Sequence, residues 1–477
     1  MNYKTLIGLE IHVELSTDTK MFCSCKNEFG LAPNTVVCPI CLGHPGALPV
    51  MNKKAVEYAT MAGLAFNCDI HQSFKMDRKK YFYPDLTKGY QITQQDEPLC
   101  TGGYIEIKDG EETKKIRLER IHIEEDTGKS IHNEEGSTLM DYNRAGVPLI
   151  EIVSKPDMSS GEQARQFLTN LKETLRFLNI SDVKMEQGSL RCDVNINIFS
   201  EDGSFKTAIS EIKNLNSFKA VEKAIEYEEK RHREMANKGE TGYKETRRWD
   251  DASSSTIPMR KKESGNDYRF SVEGDIPRTV LKDDFIEQVK NKLPELPQEK
   301  MKRFMEEYNL PEYDSDILSR SIALSNYFEK SVKLTNDPIL TSNWLLSDVL
   351  RRVNEAEIEF EDVNMSSENF SKLLILVREK KINNNTGKKV LRKLFEENFD
   401  PEEYVKENGL IQLNDDGLLE EIVDKVLSEN PQSIEDIKNG KDRAFGFLVG
   451  QCMKASKGKG NPQKFNELIR EKIQWKI

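Results

Sequence analysis

Acids set at alternate positions within apolar runs constrain this chain more than any other feature. In LIGLEIHVEL, Leu9, Ile11, Val13 and Leu15 share one face of an extended strand while Glu10, His12 and Glu14 share the other, because successive strand side chains point to opposite faces. On a single strand such a polar stripe is ordinarily a solvated surface. Four further segments carry an acid in the same way: RIHIEED with Glu124 and Glu125, VPLIEIV with Glu151, LRCDVNINI with Asp193, and AISEIKNL with Glu211. In LRCDVNINI, Cys192, Val194, Ile196 and Ile198 fill one face, and Arg191, Asp193, Asn195 and Asn197 line the other. A sheet built from these strands collects its acids on one surface. There they repel one another unless protons or cations neutralise them. Hard oxygen donors select magnesium or a similar divalent ion, and His12 beside Glu10 offers a nitrogen donor.

Four of the eight cysteines cluster. FCSCKNEFGLAPNTVVCPIC holds Cys23 and Cys25 as a C-x-C pair and Cys38 and Cys41 as a C-x-x-C pair, with Gly30 and Pro33 in the loop between. Two close thiolate pairs can enclose one tetrahedral ion, so the segment predicts a structural zinc knuckle with no open position for water. Cys68, Cys100, Cys192 and Cys452 stand alone and are expected to be small buried hydrophobes.

Bulk properties set limits. The 477 residues exceed what one core serves, and 37% hydrophobic with 32% charged residues suits a globular chain of two to four domains. No apolar run approaches a membrane span and the N-terminus lacks signal-peptide regions, which predicts a cytoplasmic protein without a membrane partner. Net charge is −11, yet residues 441–477 carry nine Lys/Arg against three Asp/Glu. That basic segment is either a solvated helix end or a surface for phosphates. EEDTGKS ends like a phosphate-binding loop, but the earlier glycine is missing: position 123 is Ile123. Any phosphate chemistry therefore uses another cradle. Among nucleophile arrangements, no Cys-His or Ser-Lys amidase set is evident.

Laid end to end, IGLEIHVEL, the CSC and CPICLG cysteines, RKKYFYPDLTKGYQI, HIEEDTGKSIH, DYNRAGVPLIEIVSKPDM, GSLRCDVN, EIKNLNSF, ETRRWD and GKDRAFGFLVGQCMKASKGKGNPQ closely resemble the GatB/GatE family of tRNA-dependent amidotransferase subunits. The resemblance covers essentially the whole chain. It implies an α+β fold: an antiparallel-sheet catalytic cradle over residues 1–293 with the knuckle at 23–41, an all-helical domain over 294–405, and a small helical YqeY-like tail over 406–477. The proline-bounded KLPELPQ at 292–298 agrees with that first boundary. The implied reaction is ATP-dependent amidation of Glu on tRNA(Gln), Asp on tRNA(Asn) or both, by phosphorylating the tRNA-bound carboxylate and letting ammonia attack the acyl phosphate. Ammonia would come from a separate amidase A subunit in a heterotrimer completed by a small C subunit.

Carried across residue by residue, the resemblance implies magnesium at His12, Glu125 and Glu151, and a second divalent ion at Glu10, Glu124, Asp193 and Glu211. Lys79, Tyr81 and Lys88 fall near the implied ammonia outlet. Arg144 would contact phosphate, and Lys454, Lys457, Lys459 and Lys464 would contact tRNA. One departure is expected to alter a loop: where the family commonly reads DYRYFPEPDLPP, this chain has DYRFSVEGDIPR at 267–278, and Gly274 in place of proline would soften it. A non-catalytic tRNA-binding protein with a structural metal, or a ligase for small free acids, are the competing readings.

Overall fold

A computed structural model describes residues 3–132, 136–261, 268–411, 416–438, 442–456 and 460–473. The chain divides into two compact units, Met1–Leu296 and Pro297–Ile477. The first is built on a ten-stranded sheet. Its order runs Ser255–Lys261, Glu245–Asp250, Ser210–Lys213, Leu190–Ser200, Tyr3–Glu14, Pro148–Ser154, Glu112–Glu125, Cys100–Thr101, Asp69–Ile70, with Tyr104–Asp109 branching from Glu112–Glu125. The opening strand is thus central. It pairs antiparallel on both sides, with Glu10 opposite Asp193 and His12 opposite both Glu151 and Arg191.

The sheet departs from the expected antiparallel pattern at one place. Ser210–Lys213 and Glu245–Asp250 run parallel, because the connection between them is the long helix Phe218–Asn237, and a helical crossover returns the chain in the same direction. That helix and Gly161–Phe177 cover the sheet's apolar face. Each starts at a serine whose side chain accepts a backbone N–H, Ser217 from Ala220 and Ser160 from Gln163, as helix N-caps do. Ala164, Phe167, Leu168, Leu171 and Leu175 recur at helical spacing and are buried against the strands. The two helices meet closely at Gly161, where an added Cβ would lie 2.7 Å from the Glu222 carbonyl oxygen.

All four isolated cysteines are buried. A second, three-stranded sheet of Ser271–Val272, Asp77–Lys80 and Tyr90–Thr93 brings the divergent segment next to the cradle. Its Glu273 is fully buried in a bidentate pair with Arg78, at 2.8 and 2.7 Å. This pair anchors the residue that precedes Gly274.

The second unit is helical among its described residues and contains two separate apolar cores, one drawn from residues 304–405 and one from 419–473. A boundary near 405 is a proposal that these two cores support. No described helix is long and apolar enough to cross a membrane.

Under the sheet edge, Glu228 is buried against Arg231 at 2.7 Å and Arg247 at 3.1 Å, and it accepts a short hydrogen bond from Thr256. Burial opposes its ionisation, but His232, Arg231 and Thr256 outweigh that and hold the carboxyl down to about 2 from 4.5. A carboxyl depressed by folding stabilises the native state above its unfolded pKa, and this contribution is lost as pH falls through the folded value. Thermal unfolding measured between pH 5 and pH 2 should show this loss, and Glu228→Gln should remove about 3 kcal/mol at neutral pH while flattening that acid limb.

Candidate functional site

The central register sets out the sheet's polar face. Glu10 and His12 come from the first strand, Glu151 from Pro148–Ser154, His122 and Glu124 from Glu112–Glu125, Asp193 from Leu190–Ser200 and Glu211 from Ser210–Lys213. Among the described residues, three groups of donors lie close enough to hold an ion, the ligand atoms within each being within 4.8 Å of one another. They are Cys23, Cys25, Cys38 and Cys41; His12, Glu124 and Glu151; and Glu10, Asp193 and Glu211.

The structure therefore divides the carboxylates differently from the sequence expectation. Glu124, not Glu125, joins His12 and Glu151. Adjacent residues of a strand face opposite ways, and Glu125 turns toward Lys88, which contacts Oε1 at 2.5 Å, while the Ile92 N–H donates to the same oxygen at 3.0 Å. Glu124 Oε1 stands 3.4 Å from His12 Nε2 and Glu151 Oε2 stands 3.7 Å from it. Glu124 Oε1 is buried without a hydrogen bond among the described residues. A shielded carboxylate oxygen with no donor is costly, and a cation between these three residues would satisfy it. The donor set fits magnesium or a similar ion.

His122 falls outside the residues expected from the sequence. Its Nε2 lies 3.1 Å from Glu151 and 3.7 Å from Glu124. Burial disfavours its charged form, yet the charges of Glu151 and Glu124 prevail and raise its pKa. Burial likewise opposes ionisation of Glu151, but His122, His12 and Lys79 hold that carboxyl well below the usual range. The signal is present in RIHIEED: a period of two that puts Glu124 on the polar face puts His122 there too.

In the neighbouring group, burial together with the charges of Glu151 and Asp193 raises Glu10. Asn195 donates to Glu10 at 2.9 Å and Thr246 donates to Glu211 at 2.8 Å. Lys213, also outside the expected set, places its ammonium against Asp193 and 3.3 Å from Glu211. This group thus contains its own counter-charge.

At the knuckle, Lys20 N donates to the Cys25 carbonyl at 2.9 Å, and the Cys38 N–H lies 3.1 Å from Cys41 Sγ. The Lys20 ammonium sits 3.7 Å from that sulfur. A hydrogen bond from Cys23 and the Lys20 charge, working against burial, bring the Cys41 thiol down to about 4. Four converging sulfurs with one already favoured as thiolate match a closed zinc site.

Beyond these three groups, Lys79 lies over the Tyr268 ring at 4.9 Å. Arg144 donates to the carbonyls of Thr127 and Gly128 at 3.0 Å each and is 3.5 Å from Asp126, so its guanidinium braces a turn. It also borders a cavity of about 890 Å³ lined by Glu14, Lys129, Asn143 and Ser189. Arg191 takes Asp126 at 2.6 Å. Lys454 is exposed on Asp442–Ala455 and Lys464 lies on Pro462–Ile473, whereas Lys457 and Lys459 fall outside the described residues.

A family model described as the GatB/GatE catalytic domain matches residues 5–287, and one described as a GatB domain matches 326–473. The B subunit of the aspartyl/glutamyl-tRNA(Asn/Gln) amidotransferase of Finegoldia magna is 69% identical over 99% of this chain and 100% of its own length. Proteins of the same name from Clostridium botulinum and Clostridium tetani are 52% and 50% identical, each over 99% of both chains. With matches of this extent along nearly its full length, the chain belongs to the GatB/GatE family of amidotransferase B subunits.

Proposed function

We propose that the acidic face of the sheet is the centre at which a tRNA-bound carboxylate is activated and amidated. The chain acts as the B subunit of a multi-subunit, ATP-dependent carbon–nitrogen ligase whose product is Gln-tRNA(Gln), Asn-tRNA(Asn) or both. The observation that carries the site assignment is the convergence of His12, Glu124 and Glu151 around a buried carboxylate oxygen that lacks a donor.

A carboxylate is a poor acyl donor because oxide is a poor leaving group. Its oxygen attacks the γ-phosphorus of ATP, ADP departs, and the resulting acyl phosphate accepts ammonia at the acyl carbon, one ammonia proton leaving on the released hydrogen phosphate. His12, Glu124 and Glu151 would hold magnesium, with Glu10, Asp193 and Glu211 holding a second divalent ion. Bound there, such ions neutralise the transferring phosphoryl group. His122 fixes Glu151 from behind, as outer partners orient metal ligands. Lys79, whose charge reaches Glu151, supplies a cation for the phosphoryl oxygens. Glu125, held by Lys88, stands beside this set as an acceptor for the N–H of arriving ammonia. Arg144 organises the neighbouring turn toward the nucleotide. The four-cysteine knuckle takes zinc and secures the loop beside the cavity.

An amidase A subunit would deliver ammonia and a small C subunit would complete a heterotrimer, since this sequence offers no amidase nucleophile of its own. The complex would work in the cytoplasm. Lys454, Lys457, Lys459 and Lys464 would meet the phosphate backbone of the mischarged tRNA.

Phosphate release from ATP by the assembled complex should require Glu-tRNA(Gln) or Asp-tRNA(Asn), and Glu151→Gln should lower it at least 100-fold with tRNA affinity retained. Turnover without aminoacyl-tRNA would refute the reading. Manganese binding, followed by electron paramagnetic resonance, should weaken at least tenfold in Glu124→Gln and far less in Glu125→Gln; the reverse ranking would return Glu125 to the ligand set. Elemental analysis of protein prepared without chelator should find one zinc per chain, lost on Cys38→Ser.

A further inference from the structure

The loop of residues 81–89 carries Lys88 to Glu125, and its outer end has little burial of its own. It joins the strands Asp77–Lys80 and Tyr90–Thr93, and Phe82, Tyr83 and Pro84 are exposed. Bonds from the Leu86 N–H to the Tyr83 carbonyl at 3.0 Å and from the Gly89 N–H to the Leu86 carbonyl at 3.1 Å shape the loop without attaching it to its surroundings. Yet the Lys88 side chain is only 15% exposed, and its ammonium meets a Glu125 that is 6% exposed. A long cationic side chain held in one geometry gives up rotamer freedom, so the backbone beneath it has to be fixed from outside the loop.

Two routes lead from the loop to the cysteine knuckle. Thr87, next to Lys88, donates its hydroxyl to the Cys41 carbonyl at 2.9 Å. Just past Cys41, Gly43 at φ 70° packs on the Lys88 stem, where an added Cβ would lie 2.7 Å from Lys88 Cγ and 3.1 Å from its backbone nitrogen. The second route runs through Lys20, which is fully buried. Its ammonium donates to the carbonyls of Val36 at 2.9 Å and Tyr142 at 3.3 Å, and lies 3.7 Å from Cys41 Sγ. Tyr142 in turn donates its hydroxyl to the Pro84 carbonyl at 3.0 Å. Asp85 is tied separately to the turn that follows Glu125, accepting from Thr127 Oγ1 at 3.1 Å and from the Gly128 N–H at 2.9 Å. Gly146 lies between knuckle and carboxylate: a Cβ there would stand 3.5 Å from Cys41 Cβ and 3.9 Å from Glu125 Oε2. Loop, knuckle and Glu125 thus meet in one place.

Resting on the proposed function, we infer that Thr87 and Tyr142 are positioning residues through which the cysteine knuckle sets the Lys88–Glu125 pair, and with it the site's acceptance of ammonia. Glu125 faces Lys88 and the Ile92 N–H, whereas the phosphoryl group is met by the set of His12, Glu124 and Glu151. A shift of the loop therefore acts on the amidation half of the reaction and spares phosphorylation. Hydroxyl-to-carbonyl bonds suit that task because they fix direction as well as distance, and a misplacement of about 1 Å can slow a reaction on the order of 100-fold. Valine has the shape of threonine without its hydroxyl, so the bond to Cys41 can be removed with the packing kept.

The test uses the assembled complex with Glu-tRNA(Gln) or Asp-tRNA(Asn) and with ammonium chloride as nitrogen donor, which bypasses the amidase subunit. Thr87→Val should raise the KM for ammonium about tenfold and Tyr142→Phe about threefold, with the KM for ATP and the affinity for manganese unchanged. Thr87→Ser, which keeps the hydroxyl, should behave as wild type. Tyr142→Phe deletes a single oxygen atom and carries the test if Thr87→Val folds poorly. An unchanged KM for ammonium in both variants would overturn the inference. So would a parallel loss toward ATP and manganese, which would make these contacts general supports of the fold. Absence of amide formation by the wild-type complex on either tRNA would instead defeat the proposed function, and that result is read before any variant is compared.

Discussion

The pairing register of the central strand governs everything the first unit does. Tyr3–Glu14 is flanked by Pro148–Ser154 and Leu190–Ser200, and it places Glu10 opposite Asp193 and His12 opposite Glu151. A slip of one residue would turn Leu9, Ile11 and Val13 to the polar face and drive the acids into a core of Ile150, Ile152, Val194 and Ile196. Burying unpaired carboxylates there would cost several kcal/mol each. The apolar half of each strand thus enforces the position of the polar half, and the site inherits its precision from the core.

Within that register the protein opposes like charges, which sheets normally avoid. It manages the repulsion unequally. Around Glu124 and Glu151 stand the imidazoles of His12 and His122, with the Lys79 charge also acting on Glu151, and among the described residues one carboxylate oxygen is left without a donor. Around Asp193 and Glu211 an ammonium, Lys213, is already in place. The first group is therefore the more electrostatically incomplete of the two and has the stronger physical demand for a bound cation. Fully satisfied buried pairs such as Glu228 with Arg231 and Arg247 show that the fold completes such networks where only stability is at stake.

The small sheet beside the cradle shows how a local substitution can be absorbed. Replacing an aromatic and proline-rich run by Phe270-Ser271-Val272-Glu273-Gly274 loosens the backbone in principle. Glu273, however, is locked by the Arg78 guanidinium in two parallel hydrogen bonds, a geometry that restrains orientation as well as position. Phe270 also keeps a ring, which packs edge-on against Tyr268.

Local spacing in the sequence was enough to determine the four-cysteine cluster and the strand faces. Cysteine spacing and period-two alternation are properties of a few consecutive residues, and Cys23 to Cys41, Glu10, His12, Glu151 and Asp193 all follow from them. Tertiary structure decided which donors of different strands lie together. Glu124 and Glu125 are neighbours with identical chemistry, and only the pairing of their strand with Pro148–Ser154, together with the approach of Lys88, sends one to His12 and the other away. The parallel pair was hidden for the same reason, as were the particular carboxylates of other strands that His122 and Lys213 meet. Each depends on which strands become neighbours, a choice made by long-range burial that no single segment encodes.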